Sequence, residues 1–228
     1  MASGGVDMKE NVALFGLSGD PAHKGHLAAC EHVLELGYER AWWSIAPANP
    51  FKPARGRASY SHRHNLAALL LEEMADPRVQ LHDFEVGLKV GLNEEIVRTF
   101  ILLSMLVSVY GDTCHFTFVM GSDNWKEFHK WGRFEEILQL ASILVCNRGD
   151  RLEDLLNCPA ALALAGFQDN AIDGVVTPGC WRVLANTGHL ASSTKIAAEI
   201  AAGGVPQDLT ERQMDYIRKN QLYGCERN

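Results

Sequence analysis

With 228 residues, 47% hydrophobic and 21% charged, the chain is long enough to bury a full core as one domain spanning 1–228. Its formal net charge of −7 excludes a protein that grips nucleic acid through bulk positive charge, and no apolar run reaches the roughly 18 to 20 residues of a membrane span. The six cysteines, Cys30, Cys114, Cys146, Cys158, Cys180 and Cys225, form no CxxC pair, and nothing near Met1 resembles a signal peptide, so reduced thiols and a cytoplasmic location are expected.

Residues 1–10 are small and polar and read as a flexible lead-in. Val12 to Phe15 is a buried strand, ending at Gly16 in a turn through Ser18, Gly19, Asp20 and Pro21. A helix enters at Gly25 and His26, carries Leu27, Cys30, Val33 and Leu34 inward, and stops at Gly37. Ala41 to Ala46 is a second strand, followed by the loop PANPFKP, where each proline drives its predecessor out of helical geometry. Ser61 to Met74 is an amphipathic helix ended by Asp76-Pro77. Val79 to Phe84 alternates as a strand.

Asn93 to Tyr110 reads as one long apolar helix, with Asn93 as N-cap and Gly111 as stop. His115 to Met120 is a strand that runs into Gly121-Ser122-Asp123, repeating the opening plan. Phe134 to Leu140 is a helix, Ser142 to Cys146 a strand, and Asn147 to Asp150 a loop at its end. Leu152 to Phe167 reads as helix interrupted by Pro159, Gly174 to Thr177 as a short strand, and Arg182 to Leu184 as part of another. Ser192 to Ala202 is a helix ending at Gly203-Gly204, and Thr210 with Gln213 forms a capping box for a last helix through Lys219. Alternating βα units imply a doubly wound, Rossmann-like parallel α/β sheet with helices on both faces and a C-terminal helical segment, expected in the common strand order 3-2-1-4-5. The loops after the first and fourth strands would then line one crevice.

His23 and His26 stand three residues apart at the start of a helix, where free N–H groups and the positive end of the dipole suit phosphate. Alone, HxGH is compatible with a surface feature or with a metal site at His23, His26 and Asp20; the helix terminus ranks phosphate above metal. Trp131 reads as core filling on its own, Lys52 and Lys195 as solvated lysines, and Ser192 to Thr194 as at least an N-cap.

Gly16-Leu17-Ser18-Gly19-Asp20-Pro21-Ala22-His23-Lys24-Gly25-His26 resembles the GGTFDPxHxGH motif of the HxGH nucleotidyltransferases, and specifically of the nicotinate and nicotinamide mononucleotide adenylyltransferases. Further matches follow in order: Pro50-Phe51-Lys52 on a Pro-rich loop, His62-Arg63 on a helix, and Gly121, Asp123 and Trp131 in GxDxxxxxxxW. Then come Asn147-Arg148-Gly149, the ISSTxIR-like Ala191 to Ala197, and Tyr216-Ile217 through Leu222-Tyr223 in YIxxxxLY. Departures are Leu17 and Gly19 for the motif Gly and Phe, Phe51 for a His, Glu94, Glu95 and Ile96 for a Ser-Tyr-Thr segment of which Thr99 remains, and Ala197 for the arginine closing ISSTxIR.

The resemblance implies transfer of AMP from ATP to a pyridine mononucleotide with release of pyrophosphate. It implies His23, His26 and Ser18 as catalytic donors, and ATP contacts at Gly16, Leu17, Gly25, Gly121, Asp123, Arg148, Ser192, Ser193, Thr194 and Lys195. Lys52, Thr99 and Trp131 would hold the mononucleotide, Trp131 as a stacking platform. Asp123 reads equally as a cap for the helix at Asn124. Mg²⁺ would arrive bound to ATP phosphates with water ligands, without a protein metal cage. The expected partners are the two substrates, neither nucleic acid nor membrane, with a homo-oligomer left open. Two alternatives remain: a related transferase acting on another phosphate acceptor such as phosphopantetheine, and a catalytically weak nucleotide-binding regulator, motivated by Ala197.

Overall fold

The computed structural model describes residues 9–47, 58–92, 98–184 and 191–225. Its centre is a six-stranded parallel sheet of order β3-β2-β1-β4-β5-β6. The strands are β1 (Glu10–Leu17), β2 (Arg40–Ile45), β3 (Val79–His82), β4 (Cys114–Gly121), β5 (Ser142–Cys146) and β6 (Trp181–Leu184). Ten helices lie in the described residues: α1 (Lys24–Glu35), α2 (Tyr60–Met74), α3 (Phe84–Leu92), α4 (Thr99–Tyr110), α5 (Ser122–Glu127), α6 (Phe134–Leu140), α7 (Leu152–Leu156), α8 (Pro159–Ala163), α9 (Ser193–Ala201) and α10 (Glu211–Asn220).

The period of two along each strand divides the core. Val12, Leu14, Phe116, Phe118, Ile143 and Val145 pack on one face against Leu102, Leu103 and Leu106 of α4 and Ile137 of α6. Ala13, Phe15, Leu17, Trp43, Ile45, Val119 and Leu144 pack on the other against Cys30, Val33 and Leu34 of α1 and Ala67 and Leu70 of α2. A third cluster joins Leu66 of α2 to Ile196 and Ile200 of α9 and Met214 and Ile217 of α10. The doubly wound arrangement and the expected strand order are therefore present, extended by β6. Because β1 pairs with β4 in parallel, Gly16 and Gly121 leave the sheet at the same edge; ligands bind at such a switch point.

Several element boundaries differ from the expectations. Glu10 already belongs to β1, its carboxylate held by Arg40 at 2.8 Å. The strand expected over Val79 to Phe84 ends at His82, because the Asp83 carbonyl accepts from Gly87 N–H at 3.0 Å and opens α3. The helix expected over Asn93 to Tyr110 is seen as α4 from Thr99 onward, with Arg98 in extended backbone (φ −82°, ψ 144°) at its head; Asn93 itself lies outside the described residues, and α3, which precedes it, was not expected. Leu152 to Phe167 is α7, α8 and a 3₁₀ turn at Ala165–Phe167, with Pro159 opening α8 at a position where its missing N–H costs nothing.

Gly174 to Thr177 is not a strand. Its N–H and carbonyl groups are taken by side chains instead: Val176 N–H donates to the Tyr38 hydroxyl (3.1 Å) and Thr177 N–H to Asp169 (2.9 Å). The buried Arg182 guanidinium donates to the carbonyls of Asp173, Gly174 and Val175. Apolar character without a neighbouring ladder made a coil look like a strand. All six cysteines are free thiols, and burial pushes Cys30 and Cys146 up to about 12.

Candidate active site

β1 delivers the HxGH loop at the sheet edge. Gly16 is required there, since a Cβ would sit 2.7 Å from the Phe118 ring, and Gly19 turns the chain at φ +56°. The Asp20–Pro21 peptide is cis. His23 then stands in extended backbone at the N-cap of α1, and its N–H donates to Nδ1 of His26 at 3.2 Å. A neutral imidazole that accepts at Nδ1 carries its proton on Nε2, so this bond selects the tautomer with a donor at Nε2. The two rings lie 3.8 Å apart at 40°, with 1% and 6% of each residue exposed. Gly25 allows the approach: a Cβ there would meet His23 Nδ1 at 3.0 Å and the Ala191 methyl at 3.2 Å.

The loop is held from three sides. From α2, the buried Arg63 donates to four main-chain carbonyls, those of Ser18, Ala46, Pro47 and Ala58. From the C-terminal segment, Tyr223 OH donates to Asp20 (2.9 Å) and Gln213 Nε2 to the Ala22 carbonyl (2.9 Å). From α9, Ser193 Oγ donates to the Pro21 carbonyl at 3.0 Å. Ser192 takes the N-cap position of α9, but its side chain makes no cap bond. Thr194 and Lys195 are exposed in the first turn. The N-termini of α1 and α9 thus converge; in the first turn of α1 the Lys24 N–H is taken by the Asp208 carbonyl (2.9 Å) and the His26 N–H by the His23 carbonyl (2.8 Å).

On the β4 and β5 side, Gly121 caps α5 and leaves room that Asp123 and Arg148 fill: a Cβ at Gly121 would lie 2.5 Å from Asp123 Oδ1 and 3.1 Å from Arg148 Cζ. The cap position of α5 is Gly121, and Asp123 stands inside the first turn rather than at the cap. Asn147 shapes the turn that carries Arg148, accepting from Gly149 and Asp150 N–H at 3.0 and 2.8 Å. Asp150 is held below the usual carboxylate range by Lys126, which donates to it at 2.6 Å, and by the Ser122 hydroxyl.

Leu17 is buried under the HxGH turn, and Thr99 is half-buried as the first residue of α4. Trp131 is half-buried and meets Phe118 and Phe128 edge-on at 6.2 and 5.3 Å, which combines a packed edge with a partly open ring. Ala197 faces Ala58, Leu222 and Tyr223 across a shallow hollow. Lys52 and the Pro-rich loop beyond Pro47 lie outside the described residues. The clamping role of Arg63 was not foreseen; its signal was the His62-Arg63 pair inside an otherwise apolar helix face. Glu85 was also missed. It is 7% exposed, accepts from Ser44 Oγ at 3.4 Å, and burial pushes its carboxyl up to about 7.

Among the described residues no group of three or more His, Cys, Asp or Glu side chains can hold a metal ion, and no helix is long and apolar enough to cross a membrane.

Residues 15–199 match a family described as cytidylyltransferase-like. The chain is 35% identical over 155 residues to the probable nicotinate-nucleotide adenylyltransferase of Roseobacter denitrificans, covering 67% of this chain and 72% of that protein. It is 36% identical over 170 residues to the protein so described in Parvibaculum lavamentivorans, covering 73% and 79%. A solved structure of Plasmodium falciparum nicotinic acid mononucleotide adenylyltransferase complexed with NaAD superposes with a TM-score of 0.72 at 19% identity, over 96% of this chain and all of that one; at that identity the likeness speaks for the fold. Motif order, sheet topology and relatives agree that the chain belongs to the cytidylyltransferase-like family, within its nicotinate-nucleotide adenylyltransferases.

Proposed function

We propose that this chain transfers AMP from ATP to nicotinate mononucleotide, forming the dinucleotide NaAD and pyrophosphate. One observation carries the reading: the buried His23–His26 pair, His26 with its tautomer fixed, sits at the head of α1, with the head of α9 packed against Gly25. Two converging helix N-termini and two imidazoles form an environment for phosphate rather than for a cation. The two relatives described above support the acceptor.

In the reaction a 5′-phosphate oxygen of the mononucleotide attacks the α-phosphorus of ATP in line. The new P–O bond forms as the bond to the β-phosphate oxygen breaks, and pyrophosphate leaves with that electron pair. Both partners are anions, so the chain's task is to align them and to neutralise the developing charge. His26 Nε2–H and His23 bind oxygens of the phosphate under attack, with Ser18 and the N–H groups around Gly16 to Gly25 beside them. Ser192, Ser193, Thr194 and Lys195 receive the β- and γ-phosphates, and Arg148 supplies a two-pronged cation in place of the arginine missing at Ala197. Gly121 and Asp123 border the nucleotide, Trp131 stacks on the pyridine, and Thr99 and Lys52 hold the mononucleotide.

ATP enters as its Mg²⁺ complex, the ion lowering the charge of the triphosphate through phosphate and water oxygens. The nearby Asp20 carboxylate accepts from Tyr223 and from Ala58 N–H, so its work is to hold the loop. The test is to incubate the protein with MgATP and each pyridine mononucleotide and to measure pyrophosphate. Release with the acid form is expected; no release with either overturns the proposal.

A further inference from the structure

The recognition of an acid rather than an amide on the pyridine ring calls for N–H donors or a cation beside the carboxylate, and the family's Ser-Tyr-Thr segment is absent here. Arg98 heads α4 and is exposed. Its Nη1 lies 3.0 Å from where a Cβ on Gly132 would sit, and Gly132 directly follows Trp131. A second tie fixes the same two segments, since the Arg133 guanidinium stacks over the Phe100 ring at 3.7 Å. Arg98 is therefore kept alongside the Trp131 loop from both sides of the contact.

The other cations of this neighbourhood are occupied. Lys126 is paired with Asp150, Lys130 with Glu127, and Arg133 with Glu136. Among the described residues no acceptor is within hydrogen-bonding or ion-pair reach of the Arg98 guanidinium. An arginine fork is shaped to take a carboxylate with two parallel bonds.

We propose that Arg98 is a specificity-determining residue: its guanidinium binds the carboxylate of nicotinate mononucleotide while the ring stacks on Trp131, and so favours the acid over the amide. This rests on the adenylyltransferase reading above. The amide is neutral and gains far less from a cation, whereas a carboxylate shielded on one side by the indole gains more than an exposed ion pair would.

The experiment compares kcat/KM for nicotinate and nicotinamide mononucleotide in the wild-type protein, Arg98→Ala and Arg98→Lys, with thermal melts of all three. The wild type is expected to favour the acid. Arg98→Ala should lower the acid-to-amide ratio about 10-fold or more, mainly through KM for the acid, with the amide changed less than about 2-fold and the melt unmoved because the side chain is exposed. Arg98→Lys should recover part of the ratio. A wild type that uses the acid while Arg98→Ala keeps its ratio overturns this inference alone. A wild type that releases no pyrophosphate with either mononucleotide overturns the reading beneath it as well.

Discussion

Gly25→Ala tests whether the two histidines must sit where they do. The added methyl would meet His23 Nδ1 at 3.0 Å, His23 Cε1 at 3.1 Å and the Ala191 methyl at 3.2 Å, all tighter than ordinary van der Waals contact. It is confined between two neighbours, so one of them must move by a few tenths of an ångström. Ala191 leads into α9, which Ile196 and Ile200 anchor in the core. His23 is the easier to displace, and its ring lies against His26 at 3.8 Å, so the shift passes to both. Overpacking of this kind costs about 1–3 kcal/mol, offset by up to about 1 kcal/mol from replacing a helical glycine with alanine. The net of about 0–3 kcal/mol corresponds to a fall in Tm of no more than about 12 °C for a chain of this size. Donors misplaced by a fraction of an ångström should lower kcat about 10- to 100-fold. Steady-state pyrophosphate release at 25 °C, set beside a thermal melt, measures both. A folded variant with kcat within 2-fold of wild type would refute the reasoning.

His26→Ala should lower kcat about 10²- to 10³-fold with an unchanged fold, and His23→Ala similarly; in the double variant the loss should be smaller than the product of the two, because both donors serve one phosphate. Activity within a few-fold of wild type in either single variant contradicts the assignment. Trp131→Ala should raise KM for the mononucleotide and spare KM for ATP, whereas a lowered Tm with unchanged KM would mark the indole as packing alone. Glu85, pushed up to about 7 from an ordinary value near 4.5, retains its proton in the folded chain where the unfolded chain has lost it. Stability should therefore fall as pH rises from about 4.5 to about 7 and level off above, and Glu85→Gln should flatten that slope. Melts at several pH values in the two proteins check the sign.

The features legible in the sequence were those with a local cause. The HxGH turn and the capping box of Thr210 and Gln213 are written in adjacent residues, and both are present as read. Alternation of strands and helices pointed to a doubly wound parallel sheet, and the common order adopted for such sheets matches the first five strands. Features depending on distant partners were hidden. Whether Gly174 to Thr177 pairs as a strand is decided by Tyr38, Asp169 and Arg182, none of which its own sequence names. The boundary at Phe84 was ambiguous because an aromatic residue satisfies either period over so short a stretch. Arg63 read as a motif letter, and only the folded backbone reveals the carbonyls it gathers.

Several of the bonds that hold the HxGH turn come from the other end of the polypeptide. Asp20, Ala22 and Lys24 are tied to Tyr223, Gln213 and the carbonyls of Gln207 and Asp208, about 190 residues away in the order of synthesis. On the ribosome, β1 and α1 emerge first, yet the turn between them lacks these restraints until the final helix has followed. A nascent chain can therefore assemble most of its sheet while the HxGH turn has only its ties to Arg63 and Ala58. Catalytic competence becomes an event of late synthesis, separated in time from the folding of the motif that names the family.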